Sequence, residues 1–367
     1  MLIFAKTIVI AALFVTTHCM AASVQIISKW SFKIEDKSYY WDYDEFNAVI
    51  IDPETLLLSS ANGIWANGDE NGNWIKLMGR NPDEYFIEKD ISTNRLLRFK
   101  YPPSDMVLAN GEIIIVDELF LYSFKFTDAK DTCYVVEWNN GIRKFYEDKR
   151  DGENIANICL YNNLLLLGLY LPNDGDKFVV IQKTDRDPSE YFKRIFRCPD
   201  SLRQTLEHAG VKYPHSIPAY NPHVNNIWLS VWGYEYVYII DTTGQLQDSL
   251  KIPDNSYIRP QMQLSKIHSQ AVWRDWLLRW TPQRNFNYVS PGYFILQYRT
   301  GFELLSNDTI PLFSTIIWDY NTHQIDIDID KHWQVAGVHP DGRIIFAHYI
   351  RENRLKAIEV LIARLLP

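Results

Sequence analysis

Cysteine is scarce in this chain of 367 residues, which contains only four. Cys19 lies in the N-terminal stretch considered below, and the other three are far apart in the sequence: Cys133, Cys159 and Cys198. Three scattered thiols provide neither a disulfide framework nor the closely spaced ligands of a zinc site. We interpret them as small buried apolar residues. A single disulfide, between Cys133 and Cys159, is the alternative in an oxidising compartment.

Several sequence motifs of catalysis are also missing. There is no Gly-x-Ser-x-Gly elbow, no Walker loop and no His-Glu-x-x-His helix, which are the local signatures of common hydrolases and nucleotide-binding proteins. Acidic residues outnumber basic ones by 45 to 37, for a net charge of −8. Nucleic-acid binding depends on neutralising phosphates with lysine and arginine, so this balance argues against a nucleic-acid partner.

Long apolar runs are restricted to the N-terminus. Residues 2–17 contain one charge, Lys6, and the run is shorter than the roughly 20 residues that a membrane-spanning helix needs. These features predict a signal peptide over residues 1–21, cleaved after Ala21. The mature protein is then secreted or periplasmic and has no transmembrane segment. Lipid attachment at Cys19 is the alternative to soluble secretion.

A short pattern recurs six times along the remaining chain. A turn rich in Asn, Asp, Pro or Gly leads into a compact apolar run, as in Ala109-Asn110-Gly111 before Ile113. Successive anchors of the pattern are 50 to 67 residues apart: Leu56, Ile113, Leu165, Ile227, Leu277 and Ile344. Four-stranded units that recur at about this interval are typical of β-propeller blades.

The repeat therefore predicts an all-β fold, a six-bladed β-propeller of four-stranded antiparallel blades. Residues 22–367 form this single domain, because no linker rich in Ser, Gly or Pro divides them. The predicted blades cover residues 40–100, 101–150, 151–212, 213–262, 263–330 and 331–367. The last blade lacks one strand, whereas residues 24–34 form a strand without a blade. We expect these N- and C-terminal strands to pair and close the ring, which removes two exposed sheet edges.

The stretch from Pro102 to Asp117 resembles an NHL repeat, with a proline, an apolar strand, an Asn-Gly turn and a second apolar strand that ends in Asp. More broadly, the turn–strand units look like those of six-bladed β-propellers of the TolB-like and NHL-like kind. This resemblance implies a propeller fold and an exported protein. It does not identify a subfamily, because the other blades lack the terminal Asp.

The innermost strand of each propeller blade lines the central channel, so residues a similar distance before each anchor are expected to meet at one mouth. Reading back 8 to 12 positions from four anchors predicts a ligand-binding site made of Asp105, Glu153, His215 and His268. Carboxylates and imidazoles that converge in this way could bind calcium or another divalent metal, or act as general acid and base. The alternative is that they only cap the channel with hydrogen bonds and water.

We interpret the protein as an exported binding module rather than an enzyme. Its partner is a protein, a small molecule or a carbohydrate, since the chain has 12 Trp, 22 Tyr and 18 Phe and exposed rings stack on such ligands. The alternative function is a metal-assisted hydrolase of lactone or ester type that uses the carboxylates and histidines of the channel mouth.

Overall fold

The computed structural model describes residues 23–34, 46–50, 56–60, 63–67, 74–79, 104–109, 111–116, 121–125, 155–161, 164–169, 177–182, 192–197, 199–208, 215–253, 283–305, 308–325, 329–352 and 355–366. These residues are almost entirely β-structure, with one α-helix, α1 (Asp200–His208). Among them, there is no helix whose length and apolar character would suffice to cross a membrane.

The strands form six antiparallel sheets in chain order. The first sheet contains β2 (Asn47–Ile50), β3 (Leu56–Ser60), β4 (Gly63–Asn67) and β5 (Trp74–Gly79), and the second contains β6 (Asp105–Ala109), β7 (Glu112–Val116) and β8 (Leu121–Lys125). The third contains β9 (Ile155–Tyr161), β10 (Leu164–Leu169), β11 (Lys177–Gln182) and β12 (Phe192–Arg197), and the fourth contains β13 (Ser216–Asn221), β14 (Asn226–Val231), β15 (Tyr236–Asp241) and β16 (Leu246–Lys251). The fifth contains β17 (Gln283–Val289), β18 (Tyr293–Leu305), β19 (Asp308–Asp319) and β20 (Gln324–Ile325). Consecutive strands in each of these sheets are neighbours, as in a β-meander.

The sixth sheet joins the two ends of the domain. Its strands are β21 (Gln334–Val338), β22 (Arg343–Glu352), β23 (Leu355–Leu366) and β1 (Ser23–Ile34), in that order. β1 runs antiparallel to β23, from the pair Ser23–Leu366 to the pair Ile34–Lys356. The predicted pairing of the N-terminal strand with the C-terminal strand is therefore present. An ion pair of 2.9 Å between Lys29 and Glu359 reinforces it.

Apolar side chains pack between neighbouring sheets. Trp228 of β14 is buried and stacks on Phe294 of β18, with ring centroids 3.9 Å apart, so that the fourth sheet packs on the fifth. Similar clusters join the second sheet to the third and the fifth to the sixth. A further cluster packs Leu56 and Leu58 of the first sheet against Ile345 and Val360 of the sixth.

The predicted anchors coincide with the second strand in five of the six sheets. Leu56 begins β3, and the others are the second residues of their strands: Ile113, Leu165, Ile227 and Ile344. The fifth anchor does not coincide with the second strand of its sheet. The second strand of that sheet is β18, which follows the turn Ser290-Pro291-Gly292, whereas Leu277 lies outside the described residues. Two apolar and aromatic runs occur in this part of the sequence, and the repeat pattern alone selected the earlier one.

The turn between β15 and β16 allows a close approach between the fourth sheet and the third. Gly244 has φ +92°, and a Cβ atom placed there would lie 1.3 Å from the carbonyl oxygen of Ile195 in β12. Gly111 also has a positive φ, +76°, but a Cβ atom there would have no neighbour within 4 Å. The two glycines therefore share a backbone conformation and differ in the space around them.

We expect Gly244→Ala to destabilise the protein by more than about 3 kcal/mol, because it adds a steric clash to the strain of a positive φ. Gly111→Ala is the matched control and should lose only about 1 kcal/mol, since it adds the backbone strain alone. Urea unfolding of both variants measures the difference. Equal losses would mean that the contact with Ile195 does not limit the size of residue 244.

Candidate functional site

A cavity of about 270 Å³ lies between the first strands of all six sheets. These strands are β2, β6, β9, β13, β17 and β21, and most of the side chains they contribute are apolar. The polar and aromatic residues of its wall are Asp105, Cys159, Tyr220, Asn287, Tyr288, Ser290 and His339. The cavity is thus an apolar space with few polar groups, which is the usual composition of a small-molecule pocket.

One end of the cavity is bordered by turns. In the fourth, fifth and sixth sheets the wall continues past the first strand into the following turn, through Pro222, Ser290 and Pro340. We call this end the turn end. Asp105 is the first residue of β6 and is hydrogen-bonded to Ile158 at the middle of β9.

Asp105 is held by hydrogen bonds to the backbone. Its Oδ1 accepts a bond of 2.8 Å from the N–H of Met106, and its Oδ2 accepts one of 2.8 Å from the N–H of Ile158 in β9. Asn157 donates a longer bond of 3.4 Å to the same Oδ2. The carboxyl group therefore links the second sheet to the third while it faces the cavity.

Burial raises the pKa of Asp105 to about 7, and the hydrogen bonds from Ile158, Met106 and Asn157 only partly oppose this effect. Protein atoms surround the carboxyl group, and Asp105 borders the cavity. All three hydrogen-bond donors are uncharged amides, so the carboxylate has no cation to compensate its desolvation. A carboxyl group that gains and loses its proton near neutral pH in a cavity is a candidate functional group.

Cys159 lies next to Asp105 on the cavity wall. Its thiol is free, so the alternative disulfide with Cys133 is not formed. Burial and the nearby charge of Asp105 both raise the pKa of the thiol well above its ordinary value. The thiol is therefore protonated and unreactive at neutral pH, and Cys159 contributes to the wall rather than to nucleophilic chemistry. Cys133 and Cys198 lie outside the described residues.

His339 contributes the imidazole at the turn end. Its Nδ1 lies 2.9 Å from Oδ1 of Asp341, two residues along the same turn. Asp341 also accepts a bond of 2.8 Å from Nε of Arg343. The partial burial of Asp341 opposes its ionisation, yet the hydrogen bonds and charges of His339 and Arg343 lower its pKa overall. This network fixes the orientation of the imidazole.

Of the four residues predicted to form the site, Asp105 and His215 are described. His215 directly precedes β13, and its ring stacks on Trp232 of the same sheet with centroids 4.0 Å apart. His215 is not among the described residues that line the cavity. Burial lowers its pKa to about 3, so the imidazole is neutral at physiological pH.

Glu153 and His268 lie outside the described residues. The offset used to select His268 was counted from Leu277, whereas the second strand of the fifth sheet is β18. That count is therefore wrong as a basis for choosing His268. The convergence of the four side chains stays a prediction.

Several wall residues were not selected from the sequence. Tyr220, Tyr288 and His339 occur four to six positions before the first residues of the second strands of their sheets, nearer to the turn than the predicted positions. The signal that could have found them is the turn itself, because residues just before it border one end of the cavity. The described residues contain no group of three or more His, Cys, Asp or Glu side chains that could hold a metal ion.

The raised pKa of Asp105 predicts a pH dependence of stability. Between about pH 4 and 7 the folded protein retains a proton on Asp105 that the unfolded chain releases, so this group makes the free energy of unfolding fall as the pH rises. The slope from one such group approaches about 1.4 kcal/mol per pH unit. Asp105→Asn removes the titration.

Urea unfolding across this pH range should therefore show that the wild-type protein loses stability relative to the Asp105→Asn variant as the pH rises, with little further change above pH 7. The control is Asp248→Asn, which removes an exposed carboxylate on β16 and should leave the wild-type pH profile almost unchanged. A constant difference between wild type and Asp105→Asn would contradict the raised pKa.

No protein-family model matches the chain, and no curated protein sequence is significantly similar to it. Among solved structures, it is similar to a member of the DUF4221 family from Bacteroides vulgatus, with a TM-score of 0.50 and 10% identity over 94% of this chain and 99% of that chain. It is also similar to a luciferin-regenerating enzyme, with a TM-score of 0.47 and 9% identity over 91% and 95% of the two chains. A third similar structure is a calcium-binding protein, regucalcin, from Agrobacterium tumefaciens, with a TM-score of 0.46 and 9% identity over 87% of this chain and 91% of that chain.

At such identities the likeness concerns the fold alone, and the conclusion about the fold rests on the first structure. The antiparallel four-stranded sheets have the arrangement of a β-propeller.

Proposed function

We propose that the chain is an exported six-bladed β-propeller that binds a small-molecule ligand in its central cavity. The single observation that carries the proposal is that the first strands of all six sheets line one apolar cavity, which Asp105 faces with a carboxyl group. Pockets of this composition are the common sites of small ligands. The wall has too few polar groups to bind the many hydroxyls of a sugar, and a cavity of about 270 Å³ suits a small molecule better than a protein.

The closed ring belongs to this proposal. The packing of the first sheet against the sixth and the pairing of β1 with β23 support it. The Asn110-Gly111 turn between β6 and β7, with Gly111 at φ +76°, supports a propeller of the NHL-like or TolB-like kind. In such a ring each sheet is one blade, and the cavity is part of the central channel.

The alternative function is a metal-assisted hydrolase. A carboxyl group with a pKa near 7 could serve as a general base, and this observation is what favours the alternative. It predicts that hydrolysis of lactones or aryl esters requires a divalent metal and is abolished in Asp105→Asn. The binding proposal predicts no turnover of these substrates with or without calcium.

A fragment screen by ligand-observed NMR tests the proposed function. Leu108→Trp should fill part of the cavity, because Leu108 lies on its wall, whereas its neighbour Val107 packs against the core between the second and third sheets. We expect at least one group of small apolar fragments to bind the wild-type protein and to lose about tenfold or more in affinity in this variant. Leu246→Trp adds the same ring at an exposed position on β16 and should bind as the wild type does.

Circular dichroism and thermal unfolding establish that both variants are folded. If Leu108→Trp is unstable, Val49→Trp introduces the same ring from β2 on the cavity wall. Fragments that bind all folded variants equally would place their site elsewhere, and the cavity would then not be the binding site.

Export is the remaining part of the proposal. The apolar run with its single Lys6 supports a cleaved signal peptide over residues 1–21. We expect intact-mass and N-terminal analysis of the secreted or periplasmic protein to give a chain that begins at Ala22. A chain that begins at a lipid-modified Cys19 and fractionates with membranes would contradict soluble secretion.

A further inference from the structure

The charge balance inside the cavity is unusual, because a carboxyl group faces it without a positive partner. The described residues of the wall include no lysine or arginine. The one wall imidazole, His339, is at the turn end and is paired with Asp341. An uncompensated buried charge is unfavourable. Proteins retain such groups mainly where a bound ligand or a proton neutralises the charge.

The groups around the carboxyl of Asp105 indicate which kind of ligand group would compensate its charge. The amide donors of Met106, Ile158 and Asn157 already bind its oxygens, so neutral hydrogen bonding is supplied by the protein, and positive charge is what it lacks. Further along the wall, Tyr220 and Tyr288 provide aromatic rings. Tyr220 is held by a hydrogen bond of 3.0 Å from its hydroxyl to Asn225 and by an edge contact with Tyr161.

We propose that the ligand of the cavity is an organic cation, a protonated amine on a compact apolar or aromatic body, whose ammonium group pairs with Asp105. This inference rests on the proposed function and specifies its ligand class. The apolar wall covers the body of the ligand. An anionic ligand is excluded by repulsion from Asp105, and a neutral ligand leaves the carboxylate uncompensated.

Binding of an ammonium group should depend on pH through Asp105. The other titratable groups of the described wall are Cys159 on β9, Tyr220 on β13, Tyr288 on β17 and His339 after β21, whereas β2 contributes only Ala48, Val49 and Ile50. Cys159 and Tyr288 have raised pKa values because they are buried, so both remain neutral around pH 7. The affinity for an amine should thus decrease as the pH falls below about 7, where Asp105 becomes protonated.

Calorimetry with two probes of nearly identical shape tests the inference. Phenethylamine carries a positive charge, and phenethyl alcohol replaces the ammonium with a hydroxyl. We expect the wild-type protein to bind the amine about tenfold or more tightly than the alcohol, because a charge-assisted hydrogen bond is stronger than a neutral one. In Asp105→Asn the preference should be lost through weaker binding of the amine, and Asp248→Asn should behave as the wild type.

The pH series supplies a test that does not depend on a variant. Between about pH 8 and pH 5.5 the affinity of the wild-type protein for the amine should fall, while its affinity for the alcohol stays constant. Equal binding of the two probes, or a preference for the alcohol, would overturn the cation inference and leave the cavity as a site for neutral ligands. Binding of neither probe would also overturn it, and the fragment screen with Leu108→Trp then decides separately whether the cavity binds any ligand.

Discussion

Deletion of residues 22–35 should lower the melting temperature by about 10 °C or more and make the protein prone to aggregation. The deletion removes β1, which pairs with β23 over almost its whole length, together with the Lys29–Glu359 ion pair. Loss of these interactions removes several kcal/mol of stability, and about 2–4 °C per kcal/mol is typical of a large domain. It also leaves β23 as an exposed sheet edge, which is a template for pairing between molecules.

A circular permutant is the matched control. Ser23 pairs with Leu366, so a short loop can join them, and new termini can be opened at Asn321 in the exposed turn after β19. This chain keeps every strand and should melt within a few degrees of the wild-type protein. Differential scanning calorimetry and size-exclusion chromatography measure both variants. A deletion variant that remains monomeric with an unchanged melting temperature would contradict the structural role of β1.

Trp228→Ala is expected to be the most destabilising single substitution that we describe. Trp228 is 1% exposed, stacks on Phe294 and donates a hydrogen bond of 3.1 Å from Nε1 to Asn226. Truncation of a buried tryptophan leaves a cavity between two sheets and typically costs about 3–5 kcal/mol. Urea unfolding at constant pH measures the loss.

Leu246→Ala is the control for this substitution, because Leu246 is 52% exposed on β16 and its truncation should change the stability by less than about 0.5 kcal/mol. If the two substitutions have similar effects, the packing of the fourth sheet on the fifth does not contribute as the buried ring implies.

The sequence predicted the sheets well because their signal is local. A turn followed by a short apolar run marks a second strand wherever the turn residues are distinct, as at Asn110-Gly111 before β7 or Asp341-Gly342 before β22. The pairing of β1 with β23 was also predictable, since a strand without a blade and a blade without a strand occur at opposite ends of the chain. The fifth sheet failed because two aromatic-rich runs compete there and the pattern does not rank them.

The candidate site was less predictable for a geometric reason. Asp105 was selected and does face the cavity, whereas His215 has a similar offset and its ring stacks on Trp232. A count along the chain does not fix the position of a residue on its strand, because the connection to the second strand has two residues after β6 and four after β13. The raised pKa of Asp105 depends on burial and on the lack of a neighbouring cation, and neither can be read from a local motif.

The pairing of β1 with β23 also determines when the sixth sheet can form during synthesis of the chain. β1 is synthesised before every other described strand, and its partner is separated from it by more than 300 residues. Long-range pairing of this kind is slow to form, and here it cannot begin until β23 has left the ribosome. The sixth sheet therefore acquires its outer strand only after the described strands of the other five sheets have been synthesised, and until then β1 is without its partner strand.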